Sequence, residues 1–108
     1  MARKTQTDKK LLHIPVEGEM TIFRAQELRE SIMPLVSSND EIEVDLSRVT
    51  EVDAAGMQFM ISIKLEAILR GKTLRYVGHS KPVLDMIDLC GLGEFFGDQV
   101  IIGSEAAH

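Results

Sequence analysis

The chain has 108 residues, of which 44% are hydrophobic, 27% are charged and only 5% are aromatic. A chain of this length is expected to fold as one domain, and its core must be aliphatic because aromatic side chains are scarce. The net charge of −5 repels polyanions at long range, which argues against nucleic-acid binding. No apolar run approaches the roughly 18 residues of a membrane span, so we expect no membrane insertion.

Residues 1–10 are basic, because four Lys or Arg side chains face a single acidic one, Asp8. We interpret this segment as a flexible tail; contact with an acidic partner or a membrane surface is the alternative. The segment lacks the apolar region of a secretory signal peptide. The single cysteine, Cys90, allows no internal disulfide, which fits a cytoplasmic protein. Its apolar neighbours at 86–89 favour a buried structural thiol over a reactive one.

The first half of the chain predicts two short strands, a helix and a third strand. Residues 11–16 and 20–22 are β-like runs on either side of a Glu-Gly-Glu turn, which predicts a hairpin at a sheet edge. Residues 24–36 change to helical spacing, and Pro34 is expected to weaken the end of that helix. One face of the helix carries Ala25, Leu28, Ile32 and Leu35. Residues 42–46 alternate between apolar and acidic side chains, which predicts a strand with one buried face.

The second half predicts the longest helix, from Gly56 to Arg70, and then a strand at 73–77. The long helix is apolar on most sides, so it needs cover from more than one direction. Its narrow polar stripe consists of Gln58, Ser62, Glu66 and Arg70. Ser80, with a proline in the following turn, predicts the start of another helix, and residues 100–102 indicate a last strand. This order of elements predicts an α/β domain with a mostly parallel sheet.

Patterns typical of catalysis or metal binding are missing from the sequence. The three histidines, His13, His79 and His108, are too far apart to show the spacing of a zinc site. We find no nucleophile elbow, no phosphate-binding glycine loop and no dinucleotide fingerprint. Asp45 and Asp53 are the one conceivable pair of acids, but carboxylates at strand ends are more typical of caps or solvated groups. We therefore expect no enzyme activity, no metal and no cofactor.

Residues 45–58 form the one distinctive segment, with the sequence DLSRVTEVDAAGMQ. A half-buried strand runs through Asp53 and two alanines into the long helix. The Asp53 carboxylate can accept hydrogen bonds from free amides of the first helical turn and meets the positive end of the helix dipole. The small residues would let a partner's backbone approach closely. A well-capped turn without any binding function fits the same residues.

This segment resembles the signature of STAS domains, the family of the anti-sigma-factor antagonists. The resemblance continues through the junction at 71–74 and the helix at 83–92, so it covers nearly the whole chain. It implies an α/β fold with a mixed, mostly parallel sheet and helices packed on it, spanning residues 11–102 between tails at 1–10 and 103–108. It also implies a docking partner of a kinase-like regulator rather than a catalyst.

Two alanines occupy the position at which phosphorylatable STAS domains carry a serine followed by a further Ser or Thr. Because a methyl group cannot accept a phosphate, the resemblance implies that Ala54 and Ala55 remove the usual phosphorylation site. The surface would then stay in its unphosphorylated form. Ser47 and Thr50 are nearby hydroxyls, but neither occupies the matching position.

The resemblance also implies that a partner docks at the start of the long helix. We expect this surface to contain Asp53, Ala54, Ala55, Gly56, Met57 and Gln58. Met57 beside a polar residue suits an interface, and packing of Met57 beneath another helix is the alternative. The expected partner is an anti-sigma factor or serine kinase, a phosphatase or a histidine-kinase complex in bacterial signalling. A transport ATPase, as in lipid-transport systems that carry a free-standing STAS subunit, is the alternative.

Overall fold

The computed structural model describes residues 11–96, within which lie three strands and four helices. The strands are β1 (Leu11–Met20), β2 (Glu41–Val52) and β3 (Thr73–Val77). The helices are α1 (Ala25–Ser38), α2 (Ala54–Leu69), α3 (Lys81–Cys90) and α4 (Gly93–Phe96). The strand predicted at 100–102 and the tails predicted at 1–10 and 103–108 lie outside the described residues.

The three strands of residues 11–96 form a parallel sheet in the order β1–β2–β3. α1 connects β1 to β2 and α2 connects β2 to β3, as parallel neighbours require. The register aligns Ile14, Val44 and Tyr76 in one buried row across the sheet. The alternation in β2 buries its apolar residues, as predicted. The α/β fold with parallel strand pairing is thus confirmed.

The hairpin predicted between residues 11 and 22 is wrong. β1 runs without a turn from Leu11 to Met20 and pairs in parallel with β2. Gly18, which indicated the turn, has a φ of +84° inside the strand. The register with β2 shifts on both sides of it, between Pro15 and Glu17 and between Gly18 and Glu19. Glycine suits an irregular strand as well as a turn, because both need backbone conformations that other residues avoid.

α1 packs on the core through a face that differs from the predicted one at its last position. Leu28 and Ile32 are buried as expected, but Val36 is buried in place of Leu35, which is 38% exposed. The helix also continues past Pro34 to Ser38 instead of weakening there. The Ser38 hydroxyl donates to the Pro34 carbonyl at 2.9 Å. This is the bond from a serine side chain to the carbonyl four residues earlier that is common inside helices.

α2 is buried along most of its length and exposed at its C-terminal end. Ile63 is fully buried, which confirms that the long helix belongs to the core, whereas Ile68 is 55% exposed. The Tyr76 hydroxyl of β3 donates to the Met60 carbonyl of α2 at 2.9 Å. Burial raises the pKa of Tyr76, so this hydroxyl stays protonated and remains a donor. None of the helices within residues 11–96 combines the length and hydropathy of a membrane span.

Cys90 is exposed at the end of α3, so the expectation of a buried thiol is wrong. Val83 and Ile87 on the same helix are fully buried. Gly91 follows Cys90 with a φ of +69° and ends the helix. Cys90 therefore lies on the last turn, where the helix has already left the core. Ser80 stands at the N-cap position of α3, as predicted, without a side-chain hydrogen bond to the first turn.

Candidate functional site

Asp53 joins two distant segments of the chain at the start of α2. Its Oδ1 atom accepts the Gly56 amide of the first helical turn at 2.9 Å, which confirms the predicted cap. Its Oδ2 atom accepts the Ile22 amide of the β1–α1 turn at 3.1 Å. The hydrogen bond from Gly56, followed by that from Ile22, lowers the pKa of Asp53 despite partial desolvation. The carboxylate is therefore ionised at neutral pH and ties the turn to the helix.

Gly56 is the point at which α2 comes closest to the end of β1. A Cβ atom at this position would collide with the Met20 carbonyl oxygen and lie 2.9 Å from the Val52 Cγ2 atom. The backbone that approaches this small residue is therefore the chain's own. Gly56 is buried, which contradicts the expectation that it lies on an accessible surface. Its close contact with Met20 determines how near α2 lies to the end of β1.

Met57 is also buried, with 3% of its surface exposed. The expectation of an accessible Met57 is wrong, because the side chain is buried in the core, as the alternative of packing beneath the following helix would require. Ala54 and Gln58 are exposed, and Asp53 and Ala55 are half-buried. These four residues are the part of the predicted docking surface that reaches solvent, and we call them the α2 surface.

The β1–α1 turn adds two apolar side chains that the sequence interpretation missed. Ile22 is 67% exposed and Phe23 is 87% exposed, and the Ile22 amide is bonded to Asp53. The assignment of Ile22 to a hairpin strand concealed the turn. The one available signal was that Phe23 falls between the β-like run and the helical spacing that begins at Ala25.

The turn is held by a dense set of polar contacts. Thr21, the buried polar residue of the turn, donates its hydroxyl to Glu19 Oε1 at 3.0 Å and accepts the Phe23 amide at 3.3 Å. The Arg24 guanidinium donates to the carbonyls of Glu17 and Glu19 at 2.6 and 2.8 Å. These bonds fix the backbone on both sides of Ile22 and Phe23.

Asp45, the second acidic residue singled out from the sequence, contacts a different set of residues, Ser47 and His13. The Asp45 carboxylate accepts the Ser47 amide at 2.9 Å and lies 3.5 Å from His13 Nε2. The hydrogen bond from Ser47 is the main reason that the pKa of Asp45 is lowered. Asp45 and Asp53 thus have separate partners and do not form an acid pair. Within residues 11–96, His, Cys, Asp and Glu form no group of three or more that could hold a metal ion.

A protein-family model described as "Mlab, STAS domain" matches residues 4–102. The chain belongs to the STAS domain family. Among curated proteins, the anti-sigma-B factor antagonist of Bacillus subtilis (strain 168) is 22% identical to this STAS domain over 81 residues. That alignment covers 75% of this chain and 74% of the Bacillus protein. The resemblance to the anti-sigma-factor antagonists is thereby confirmed.

Two solved structures share the fold of this STAS domain. A sulfate transporter family protein from Wolinella succinogenes superposes with a TM-score of 0.68 and 19% identity, covering 81% of this chain and 71% of the other. The anti-sigma factor antagonist SpoIIAA in its unphosphorylated form superposes with a TM-score of 0.67 and 17% identity, covering 83% and 80%. At such identities the two structures confirm the fold class alone.

Proposed function

We propose that this STAS domain is a non-enzymatic docking protein of bacterial signalling, and that its partner contacts the α2 surface. We further propose that phosphorylation does not switch this contact. The observation that carries the proposal is Ala54, the exposed first residue of α2, which follows the Asp53 cap directly and has no hydroxyl group. Its methyl group occupies the place from which a phosphoserine of a switchable relative would project.

The electrostatics at the start of α2 explain why this position matters. A phosphate group adds about −1.5 to −2 charges at neutral pH and bonds well to a helix N-terminus. At position 54 it would stand beside the ionised Asp53 and change both the charge and the shape of the α2 surface. Ala54 and Ala55 add neither bulk nor further charge beside Asp53, which allows a partner's backbone to approach closely.

The relatives support a partner of the kind expected from the sequence. The Bacillus relative is named as an antagonist of an anti-sigma factor, which supports an anti-sigma factor or a kinase of that type as the partner, in the cytoplasm. A phosphatase or a histidine-kinase complex would use the same contact. A second candidate function is that of an accessory subunit of a transport ATPase, and the fold shared with a sulfate transporter family protein favours it only in that this fold also occurs in a transport protein.

Affinity capture from the native host tests the docking proposal. The bait proteins are the unaltered chain, Ala54→Asp, and Leu69→Asp as a matched control, because Leu69 is 82% exposed at the opposite end of α2. We expect one partner to be retained by the unaltered chain and by the control and lost with Ala54→Asp. Its identity separates a signalling regulator from a transport ATPase. Equal retention by all three baits contradicts docking at the α2 surface.

Incubation with ATP and a serine kinase directed at STAS domains tests the absence of a switch. We expect no phosphate on the unaltered protein, and we expect phosphate on residue 54 of Ala54→Ser. Mass spectrometry locates the modified residue. Stoichiometric phosphate on Ser47 or Thr50 of the unaltered chain would show that a different switch exists.

A further inference from the structure

We propose that the β1–α1 turn and the hollow beside it receive a partner segment in which an arginine lies next to an apolar side chain. The inference rests on the proposed docking function and specifies the chemistry of the partner. Two features of the surface carry it. The first is an apolar anchor, Ile22 and Phe23. The second is an acidic hollow of about 410 Å³, lined by Glu19, Thr21, Phe23, Glu51, Val52 and Asp53.

The anchor differs from an ordinary exposed apolar residue. Scattered apolar side chains are normal on protein surfaces and need no explanation. Here two of them are adjacent on one turn, with 67% and 87% of their surfaces exposed. Aromatic side chains are enriched in interfaces, where a few buried anchors supply most of the binding energy.

The backbone that carries the anchor is also held in place before any partner binds. Thr21 is buried, and its hydroxyl group donates one hydrogen bond to Glu19 and accepts another from the Phe23 amide. The Asp53 carboxylate holds the Ile22 amide, and the Arg24 amide donates to the Thr21 carbonyl at 2.9 Å. Because the turn is already ordered, a partner that packs on it loses little conformational entropy.

The charge of the hollow indicates what the partner must supply. The parallel strand register pairs Glu19 with Glu51, and like charges on neighbouring strands repel each other. Asp53 adds a third carboxylate to the lining. The Glu51 side chain makes no hydrogen bond or ion pair with any residue between 11 and 96, and within that range the Glu19 carboxylate accepts only the Thr21 hydroxyl. The hollow therefore collects negative charge that the described part of the chain does not compensate.

Arg24 and Arg48, the arginines closest in sequence to the lining residues, are engaged elsewhere. Arg48 pairs with Glu17 at 3.4 Å. The Arg24 guanidinium donates to backbone carbonyls and lies 3.7 Å from Glu27. Neither side chain lines the hollow. A positive group from outside the described residues would relieve the repulsion between Glu19 and Glu51.

An arginine fits the hollow better than a lysine does. Its planar guanidinium can bond two carboxylate oxygens at once and can also stack on an aromatic ring. The hollow offers both carboxylate oxygens and an aromatic ring, because Phe23 lines it together with the carboxylates. An apolar residue next to the arginine would then cover Ile22.

The test uses the full chain and three short synthetic peptides in which leucine alternates with arginine, with lysine or with glutamate. Binding is followed by fluorescence anisotropy, and the site is mapped by amide chemical shifts. We expect the arginine peptide to bind with shifts at Phe23 and Glu51, the lysine peptide to bind more weakly, and the glutamate peptide to bind at least about tenfold more weakly.

Matched variants separate the proposed site from general attraction to an acidic protein. Phe23→Ala and Glu51→Lys should each weaken binding of the arginine peptide about tenfold or more. Leu69→Ala and Asp88→Lys change equally exposed residues elsewhere and should leave it unchanged. Equal losses for Glu51→Lys and Asp88→Lys, or full binding by Phe23→Ala, would overturn the inference, as would the absence of shifts at the turn. Circular dichroism confirms that each variant is folded.

Affinity capture from the native host, with Phe23→Ala as a further bait, distinguishes failure of this inference from failure of the docking proposal. Loss of that partner with both Ala54→Asp and Phe23→Ala supports both proposals. Loss with Ala54→Asp alone overturns the inference and leaves docking at the α2 surface intact.

Discussion

The two ends of α2 both expose apolar side chains, but they are built differently. At the N-terminal end, Asp53 reaches a residue in the β1–α1 turn as well as the first helical turn. At the C-terminal end, the amides of Arg70 and Gly71 donate to carbonyls of the last helical turn, between Glu66 and Ile68. The first end is therefore a tertiary junction, whereas the backbone of the second is satisfied locally.

The difference shows why exposure alone does not identify a docking surface. Leu69 is 82% exposed and Phe23 is 87% exposed, so the two side chains are almost equally accessible. Phe23 lies on a turn that Thr21, Arg24 and Asp53 hold in place, beside carboxylates for which residues 11–96 supply no counter-charge. Leu69 lies on the final turn of a helix. This difference supports the proposal that a partner docks at the N-terminal end.

The largest expected effect on the free energy of unfolding separates the buried middle of α2 from its exposed C-terminal end. Ile63→Ala removes side-chain atoms from a fully buried position and should lower the free energy of unfolding by about 2–5 kcal/mol. Ile68→Ala, at a position that is 55% exposed, should cost less than about 1 kcal/mol. Urea denaturation measures both. Equal unfolding midpoints for the two variants would contradict the core assignment.

The next effect compares the glycines at the two ends of the helix. Gly56→Ala forces a methyl group into the Met20 carbonyl and should cost about 3 kcal/mol, the upper part of the range for overpacking. Gly71→Ala meets no neighbouring atom within 4 Å and only forces alanine to a φ of +72°. That strain should cost about 1 kcal/mol. A larger loss for Gly71→Ala would mean that the junction at Met20 can relax.

The sequence predicted those features of α2 that depend on neighbouring residues. The apolar character of the helix and the capping aspartate are local signals, and both led to the correct element with the correct cap. Gly56 showed a different limit. It was expected on the docking surface, because no local signal reveals that Met20 comes to lie against it.

The features that the sequence could not predict depend on contacts between distant segments. The Glu-Gly-Glu run at 17–19 is equally typical of a hairpin turn and of the irregular strand that is observed. The direction of Met57 was left open, since a helix that is apolar on most sides does not indicate which side faces the sheet. The contact between the β1–α1 turn and Asp53 could not be predicted, because it joins Ile22 to a residue on the next strand–helix connection.

A smaller effect concerns the charge of the cap. Asp53→Ala removes the acceptor for the Gly56 and Ile22 amides and should cost about 0.5–2 kcal/mol at neutral pH. The pKa of Asp53 is lower in the folded protein than in the unfolded chain. The stabilisation is therefore complete above the unfolded value of about 3.9 and is lost as the pH falls through the folded value. The difference between wild type and variant should narrow below about pH 4. A difference that stays constant down to pH 2 would contradict a charged cap.

The smallest effect compares the same added charge at the two ends of α2. Ala54→Asp places a carboxylate at the positive end of the helix dipole, and Leu69→Asp places one at the negative end. Each should change the free energy of unfolding by about 0.3–1 kcal/mol or less. Ala54→Asp should be the more stable variant, although repulsion from Asp53 reduces its advantage. The reverse order in thermal denaturation would show that this repulsion outweighs the dipole.

The affinity of the captured partner for these same two variants tests the central claim most directly. Ala54→Asp buries an unpaired charge under a docked partner, and such a charge can cost several kcal/mol at an interface. We predict that its dissociation constant rises at least about tenfold, which corresponds to about 1.4 kcal/mol. Leu69→Asp should bind like the unaltered chain. Unchanged affinity for Ala54→Asp, or an equal loss for Leu69→Asp, would contradict docking at the N-terminal end of α2.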